Sequence, residues 1–173
     1  MLSERLKESI RDYPDFPKKG IIFKDISPVI ADPELFSALI NKISNYDIYK
    51  ETDAIVAIDA RGFIFGSAIA KKVKKPLILS RKKNKLPGLL LEESYGLEYG
   101  KDSLSIQESA IKPFNNFVIV DDLLATGGTA KSVINMLNKK GKNVLALSVI
   151  IELSLLKGSS FLGIPVYSEI KYN

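Results

Sequence analysis

The sequence contains no cysteine, no histidine and no tryptophan among its 173 residues. The missing thiols exclude a disulfide framework, a thiolate nucleophile and a zinc–thiolate site, and the missing imidazoles exclude the commonest general base. No segment approaches the roughly 20 consecutive apolar residues of a membrane span. The N-terminus carries no basic stretch followed by an apolar run, so we expect a cytoplasmic protein rather than a secreted one.

Length and charge narrow the class of protein further. A chain of this length with 46% hydrophobic residues can bury one sizeable core, which predicts a single domain over residues 1–173. The formal net charge of +5 favours an anionic partner, either a nucleic acid or a phosphorylated small molecule. Because the basic residues are scattered, with local clusters only at 71–75 and 81–85, we expect the small molecule and no nucleic acid or membrane partner.

Hydrophobic patterning predicts two unlike parts of the chain. Residues 1–45 indicate an opening helix at 2–13, a stretch punctuated by proline and glycine, and a second helix that Asp32 caps. Over residues 53–151, apolar runs alternate with amphipathic helices, which is typical of an α/β protein with a mostly parallel sheet. Strands are expected at 54–58, 77–80, 117–120, 144–151 and 165–167.

Residues 81–103 interrupt this alternation with glycine, proline and charges of both signs. A connection of this length inside a compact domain is usually functional or mobile. The segment therefore predicts a hairpin-like excursion that covers a site.

A buried strand at 117–120 leads into two aspartates and a glycine turn before the next helix. Gly127 and Gly128 allow the backbone to approach an anion closely, and the threonines on either side add hydroxyl donors. Asp121 and Asp122 cannot bind phosphate, but they suit the hydroxyl groups of a sugar or a metal ion. The pattern predicts a ligand that carries both a phosphate and a diol.

A second turn, at residues 59–63, places Arg61 directly after the first core strand and before a helix. A guanidinium group matches the geometry of phosphate oxygens, so this turn predicts a second anion site. An ion pair between Arg61 and the neighbouring Asp59 is the plainer alternative.

Residues 117–129 resemble the motif with which type I phosphoribosyltransferases bind 5-phosphoribosyl pyrophosphate (PRPP). Four further stretches resemble the adenine-specific members of that family: Ala-Arg-Gly-Phe at 60–63, the hood segment at 20–28, the basic start of the flexible loop at 81–88, and Ser-Tyr-Gly-Leu-Glu-Tyr-Gly at 94–100. The sequence differs from the usual pattern at Lys24, where arginine is common, and at Asn84, where glycine is frequent.

The resemblance implies a fold and a reaction. The fold is a central, mostly parallel sheet flanked by helices, with an N-terminal helix and hood at 1–45, a core at 53–151 and a flexible catalytic loop at 81–103. The reaction is purine salvage, in which the 5-phosphoribosyl group of PRPP passes to adenine and gives AMP and pyrophosphate. The resemblance also implies Mg²⁺ as cofactor and a homodimer.

The resemblance further assigns roles to individual residues. Catalysis falls to Glu98, Arg61 and Asp122, with Glu98 handling the purine proton, and Asp121 and Asp122 also hold the metal, directly or through water. PRPP is bound by Arg61, Arg81, Lys82, Lys85, Asp121, Asp122, Ala125, Thr126, Gly127, Gly128 and Thr129. Adenine is bound by Ile22, Phe23, Lys24 and Leu123.

Three other functions fit parts of the same pattern. A non-catalytic PRPP-binding subunit of a synthetase complex would bind PRPP without turnover. A phosphoribosyltransferase for hypoxanthine, xanthine or orotate would share the PRPP site and differ in the base site. A PRPP-sensing regulator that binds nucleic acid would keep residues 118–129 but would not need the hood and the loop at 94–100. Residues 154–173 predict no site.

Overall fold

The computed structural model describes residues 1–97 and 100–173, and its chain divides into two compact units, Met1–Asn45 and Tyr46–Asn173. No helix among the described residues is long and apolar enough to span a bilayer. The division falls between the two parts of the chain that differ in hydrophobic pattern.

The first unit combines helices with a two-stranded antiparallel sheet. The predicted cap of the second long helix is confirmed, because Asp32 Oδ1 accepts hydrogen bonds from the backbone N–H groups of Glu34 and Leu35, both at 3.0 Å. The elements are helix α1 (Leu2–Ser9), strands β1 (Arg11–Pro14) and β2 (Ile22–Asp25), and helices α2 (Ser27–Ala31) and α3 (Pro33–Ser44).

The opening helix is shorter than the predicted 2–13. It ends at Ser9, and residues 11–14 pair instead with β2, with Arg11 opposite Asp25. Pro14 explains part of the difference, since a proline disfavours the helical conformation of the residue before it. The prediction over residues 10–13 was therefore wrong.

The second unit is built on a seven-stranded sheet in the order β5-β6-β4-β3-β7-β8-β9. Strands β4, β3, β7, β8 and β9 run parallel to one another. Strand β6 pairs antiparallel with β4, and β5 pairs antiparallel with β6. The predicted mostly parallel sheet is therefore confirmed. The strands are β3 (Ala54–Ile58), β4 (Leu77–Lys82), β5 (Leu90–Leu97), β6 (Gly100–Gln107), β7 (Asn116–Leu124), β8 (Asn143–Leu153) and β9 (Val166–Tyr172). The helices are α4 (Ile48–Glu51), α5 (Gly62–Val73), α6 (Glu108–Ile111), α7 (Gly128–Lys139) and α8 (Gly158–Leu162), with a 3₁₀ turn at Ser154–Leu156.

Helices cover both faces of this sheet. Val56 and Ile119 belong to a buried cluster with Val133 and Leu137 of α7. Gly66 of α5 lies against Ala57, the neighbour of Val56 that points to the other face. Covering on both sides explains why β3 is buried along its whole length and reads as a continuous apolar run.

The excursion at 81–103 consists of the end of β4, a turn and the β5–β6 hairpin. The hairpin joins the sheet through β6, with Ser105 opposite Arg81 and Leu104 opposite Lys82. The position of Glu98, the proposed catalytic carboxylate, lies outside the described residues.

Candidate active site

The two turns predicted to bind anions and the basic start of the loop at 81–88 lie at one edge of the sheet. Strands β4, β3 and β7 are parallel neighbours, with Ala57 opposite both Leu79 and Val120. Their carboxyl ends therefore meet at the same edge, which is where open α/β sheets bind ligands. Arg81 and the Asp121–Asp122 pair lie in the last residues of β4 and β7, and Arg61 follows the end of β3.

Arg61 and Asp122 form an ion pair between two of these turns. Nη2 of Arg61 lies 2.7 Å from Oδ2 of Asp122, and their side chains are 37% and 9% exposed. The pair brings the guanidinium of the 59–63 turn to the acidic end of β7. The partner seen for Asp59 is a different arginine.

Asp59 links the second turn to the basic loop. Its Oδ2 lies 3.3 Å from Nε of Arg81 and accepts a hydrogen bond from the backbone N–H of Lys82 at 3.4 Å. The Arg81 guanidinium also lies 5.9 Å from the ring centre of Phe63 and donates to the Lys85 carbonyl at 3.4 Å. Two arginines are therefore held at neighbouring strand ends, and the Lys82 and Lys85 side chains are exposed.

The two aspartates are neighbours near the end of β7, where Asp122 is buried and Asp121 is half-buried. Oδ1 of Asp121 accepts a hydrogen bond from the backbone N–H of Asp122 at 2.9 Å. Burial, and then the charge of Asp122, raise the pKa of Asp121 well above its ordinary value. Burial also raises the pKa of Asp122, although the charge of Arg61 opposes that shift. A ligand that supplies positive charge or hydroxyl donors would stabilise the ionised form of such carboxylates.

The donor set of this acidic pair fits Mg²⁺. Among residues 1–97 and 100–173, no group of three or more carboxylate, thiol or imidazole side chains is placed to hold a metal ion. Mg²⁺ commonly uses only one or two protein carboxylates together with water and substrate phosphates. Asp121 and Asp122 match that requirement.

The charge state of Asp121 gives a first prediction, for the variant Asp121→Asn. Because its pKa is raised on folding, Asp121 stabilises the protein fully below the ordinary aspartate pKa of about 3.9, and this contribution is lost as pH rises through the raised value. Asparagine does not ionise and can keep the hydrogen bond to Asp122. The variant should therefore gain free energy of unfolding over wild type as pH rises from about 4 to 8.

Urea unfolding across that pH range measures this difference. Asp47→Asn is the control, since Asp47 is exposed and its hydrogen bond to Lys50, together with the charge of Lys50, lowers its pKa. Its contribution to stability is complete above the ordinary aspartate pKa, so the difference between this variant and wild type should stay nearly constant from about pH 4 to 8. An advantage of Asp121→Asn that is the same at every pH would contradict the assignment.

The glycine turn after β7 has the geometry of a phosphate cradle. Gly127 has a φ of +88°, a left-handed conformation that glycine adopts without strain, and α7 begins at the next residue. The N–H groups at the start of that helix have no partner within it and point towards one place, as in other phosphate sites. Thr126 is exposed and Thr129 half-buried at this turn.

A pocket of about 410 Å³ opens beside this turn. Thr126 and Gly128 form one wall of it, and β5 forms another. The full lining is Ser94, Tyr95, Gly96, Thr126, Gly128, Lys131, Ser132, Asn135 and Phe161.

Comparison with known proteins identifies the family. Residues 31–159 match the phosphoribosyl transferase domain. The adenine phosphoribosyltransferase of Prochlorococcus marinus strain MIT 9215 is 54% identical over 172 residues, which are 99% of this chain and the whole of that protein. This chain belongs to the adenine phosphoribosyltransferases.

Solved structures of the adenine phosphoribosyltransferases share the fold over nearly the whole chain. The Rhodothermus marinus enzyme has a TM-score of 0.91 at 39% identity, and the match covers 99% of this chain and 98% of the R. marinus chain. The Saccharomyces cerevisiae enzyme, complexed with an imino-altritol bisphosphate and adenine, has a TM-score of 0.90 at 35% identity, with 98% of each chain covered.

The adenine-binding residues predicted from the adenine phosphoribosyltransferases lie in both units. In the first unit, the ring of Phe23 packs edge-on against Phe16, with centroids 5.2 Å apart, and Nζ of Lys24 lies 2.6 Å from Oδ2 of Asp12. Ile22 is exposed at the start of β2. Leu123, in the second unit, is half-buried near the end of β7.

Several residues that line the pocket were not predicted as site residues from the sequence. Lys131 donates a hydrogen bond to the Leu162 carbonyl at 3.2 Å and lies 5.6 Å from the ring centre of Phe161. Phe161 lies in the C-terminal stretch where no site was predicted. The spacing of Gly128, Lys131 and Asn135 along α7 is a helical signal that would have placed them on one face.

Gly62 gives the second prediction for this member of the adenine phosphoribosyltransferases. It begins α5, and a Cβ atom there would lie 2.8 Å from Oδ1 of Asp121 and 3.0 Å from the carbonyl oxygen of Val120. Gly62→Ala should therefore lower the free energy of unfolding by about 1–3 kcal/mol, as overpacking does.

The matched control is Gly128→Ala, at the first position of α7. A Cβ atom there would lie 3.5 Å from its nearest contact, the carbonyl oxygen of Gly96, so the change should cost little. Equal midpoints of urea unfolding for the two variants would contradict the close packing of Gly62 on Asp121.

Proposed function

We propose that this protein transfers the 5-phosphoribosyl group of PRPP to adenine in purine salvage, and forms AMP and pyrophosphate. The observation that carries the proposal is the Arg61–Asp122 ion pair, which joins the turn suited to pyrophosphate to the motif suited to ribose and phosphate. The identity to adenine phosphoribosyltransferases over nearly the whole chain supports adenine as the base.

The substrate phosphates and hydroxyls each have complementary groups at this edge of the sheet. The N–H groups at residues 125–129 hold the 5′-phosphate, and Asp121 and Asp122 accept hydrogen bonds from the ribose hydroxyls. Arg61 and Arg81 hold the pyrophosphate, with help from the exposed lysines that follow Arg81. The reacting carbon, C1′, is thereby fixed between its leaving group and the base.

In the chemical step, N9 of adenine forms a bond to C1′ while the bond from C1′ to pyrophosphate breaks. Negative charge develops on the departing pyrophosphate, so groups that hold that charge in the transition state accelerate the reaction most. Arg61 and Arg81 are the side chains placed to do so. When Mg²⁺ is bound, held by Asp121 and Asp122 directly or through water, it supplies further neutralisation of the phosphate oxygens.

The roles of Ile22, Phe23, Lys24 and Leu123 in adenine binding stay predictions. The ion pair between Lys24 and Asp12 favours recognition of the base by the backbone of Lys24. Because the ammonium group of Lys24 is held by a carboxylate, the backbone at this position is better suited to read the base than the side chain.

Glu98 is proposed to accept the proton that N7 of adenine loses as N9 bonds to C1′, since a carboxylate suits this role in a protein without histidine. Glu98→Gln should mainly lower kcat and remove one limb of its pH dependence. Glu92→Gln, an exposed carboxylate of β5, is the control and should leave both unchanged. A pH profile of Glu98→Gln that matches wild type would exclude the role.

The stoichiometry of the reaction tests the proposed function. Purified protein, PRPP, adenine and Mg²⁺ should yield AMP and pyrophosphate in equal amounts, and omission of adenine should abolish the release of pyrophosphate. Release of pyrophosphate without a nucleotide product would instead identify a hydrolase. The homodimer and the cytoplasmic location stay predictions, and sedimentation velocity tests the first.

A further inference from the structure

A cluster outside the proposed reacting groups joins the β5–β6 hairpin to α7. Oε2 of Glu93 lies 2.5 Å from Nζ of Lys139, and Oε1 of Glu93 accepts a hydrogen bond from Nδ2 of Asn135 at 3.3 Å. The two partners lie one helical turn apart and share a face of α7. We call these three residues the Glu93 cluster.

The same face of α7 leads to the phosphate turn. Tyr95 and Gly96, which follow Glu93 in β5, line the 410 Å³ pocket with Gly128 at the start of α7. The Tyr95 hydroxyl donates a hydrogen bond to Oδ2 of Asp102, on the paired strand, at 3.3 Å. β5 thus runs antiparallel to α7, with the Glu93 cluster at one end of the contact and the phosphate turn at the other.

Strand β5 has its main contacts with two elements, its partner strand β6 and helix α7. Within the described residues, β6 joins the hairpin to β4 through two residue pairs, Ser105 with Arg81 and Leu104 with Lys82, and β5 lies beyond β6 at the edge of the sheet. Strand β6 is packed into the core by Leu104 and Ile106, and α7 by Val133, Met136 and Leu137, all buried. The interaction between β5 and α7 therefore gives the hairpin a second attachment to the core, through its edge strand.

We propose that Glu93 is a positioning residue that fixes β5 along α7 and so sets the place of the hairpin relative to the phosphate turn. The inference deepens the proposed function and rests on it, because β5 leads directly in sequence to Glu98. Among the described residues, the bonded partners of the Glu93 side chain are Lys139 and Asn135, and neither is a residue that we assign to PRPP or adenine. Its effect should appear in kcat, since the hairpin carries the proposed proton-handling group.

A surface ion pair without this role is the alternative. Lys139 is 62% exposed, whereas the Glu93 side chain is only 20% exposed. The neighbouring residue offers a matched comparison, since Nζ of Lys140 lies 2.7 Å from Oε1 of Glu108 and joins α7 to α6 instead of the hairpin. Both lysines lie at the end of α7, but Lys139 connects this helix to β5, whereas Lys140 connects it to α6.

A double-mutant cycle tests the proposal. Glu93→Gln and Lys139→Met should each lower kcat by about two- to fivefold, the range that a partly exposed ion pair can carry, with the double variant no worse than either single. Glu93→Lys combined with Lys139→Glu should recover most of the loss. The cycle of Glu108→Gln and Lys140→Met should leave kcat unchanged.

Hydrogen exchange of the same proteins gives a readout that does not need turnover. In Glu93→Gln, residues 90–97 should exchange faster, while residues 117–120 of β7 keep their protection. Unchanged exchange in β5, an unchanged kcat, or an equal loss in the control cycle would overturn the role of Glu93. Absence of AMP formation by wild-type protein would overturn the proposed function, and the exchange of β5 would still decide whether Glu93 holds the hairpin.

Discussion

Replacement of Arg61 by alanine should lower kcat/KM for PRPP by about 10²- to 10³-fold, the loss typical of removing one donor that stabilises a developing anion. Arg61 is partly exposed at the ligand edge of the sheet, and its guanidinium also lies 2.7 Å from Asp122. The change therefore removes a donor to pyrophosphate and leaves a buried carboxylate without its ion pair. Both effects act on the same step.

Steady-state kinetics with PRPP varied at saturating adenine measure this loss. Arg61→Lys is the informative companion, because lysine keeps the positive charge and loses the planar fork that holds two oxygens at once. It should fall between wild type and Arg61→Ala. Circular dichroism and the midpoint of unfolding establish that the fold is kept, and a near-normal kcat/KM in a folded Arg61→Ala protein would remove Arg61 from the mechanism.

Asp122→Asn should lower kcat/KM for PRPP by about 10²-fold or more, since the negative charge is lost and one of the two accepting oxygens is replaced by an NH₂ group that donates. Asp122 is buried at the end of β7, and its carboxylate is the partner of Arg61. The amide is nearly the same size, so packing is conserved. Electrostatics at the ribose and at Arg61 are what change.

Asp53→Asn is the matched control for Asp122→Asn. Asp53 lies just before β3, at the opposite edge of the sheet, where its carboxylate accepts hydrogen bonds from the backbone N–H groups of Asn115 and Asn116. Its loss should reduce stability and leave kcat/KM close to wild type. Similar activity losses in the two variants would show that Asp122 acts only through the stability of the fold.

Much of the second unit was predictable from local patterns. Strand β3 begins and ends at the predicted residues 54–58, because a run of apolar residues between polar flanks suffices to define a strand buried on both faces. Strand β1 had no such pattern. Its four residues are exposed, and they form a strand only because β2 supplies backbone partners.

The ion pairs of the site could not be read from spacing. Arg61 and Asp122 meet because β3 and β7 are neighbours, although β4, β5 and β6 lie between them in sequence. The sequence placed Arg61 beside Asp59, whereas the structure shows Asp59 paired with Arg81. Contacts of this kind depend on the order of strands in the sheet, which no short motif records.

The most direct test of the account is a competition among bases. Purified protein is mixed with PRPP, Mg²⁺ and equal amounts of adenine, guanine, hypoxanthine, xanthine and orotate, and the nucleotide products are resolved. AMP should be the dominant product. A different nucleotide as the main product would support the PRPP site and contradict the assignment of adenine. If the protein binds PRPP and forms no nucleotide, the result would contradict catalysis itself.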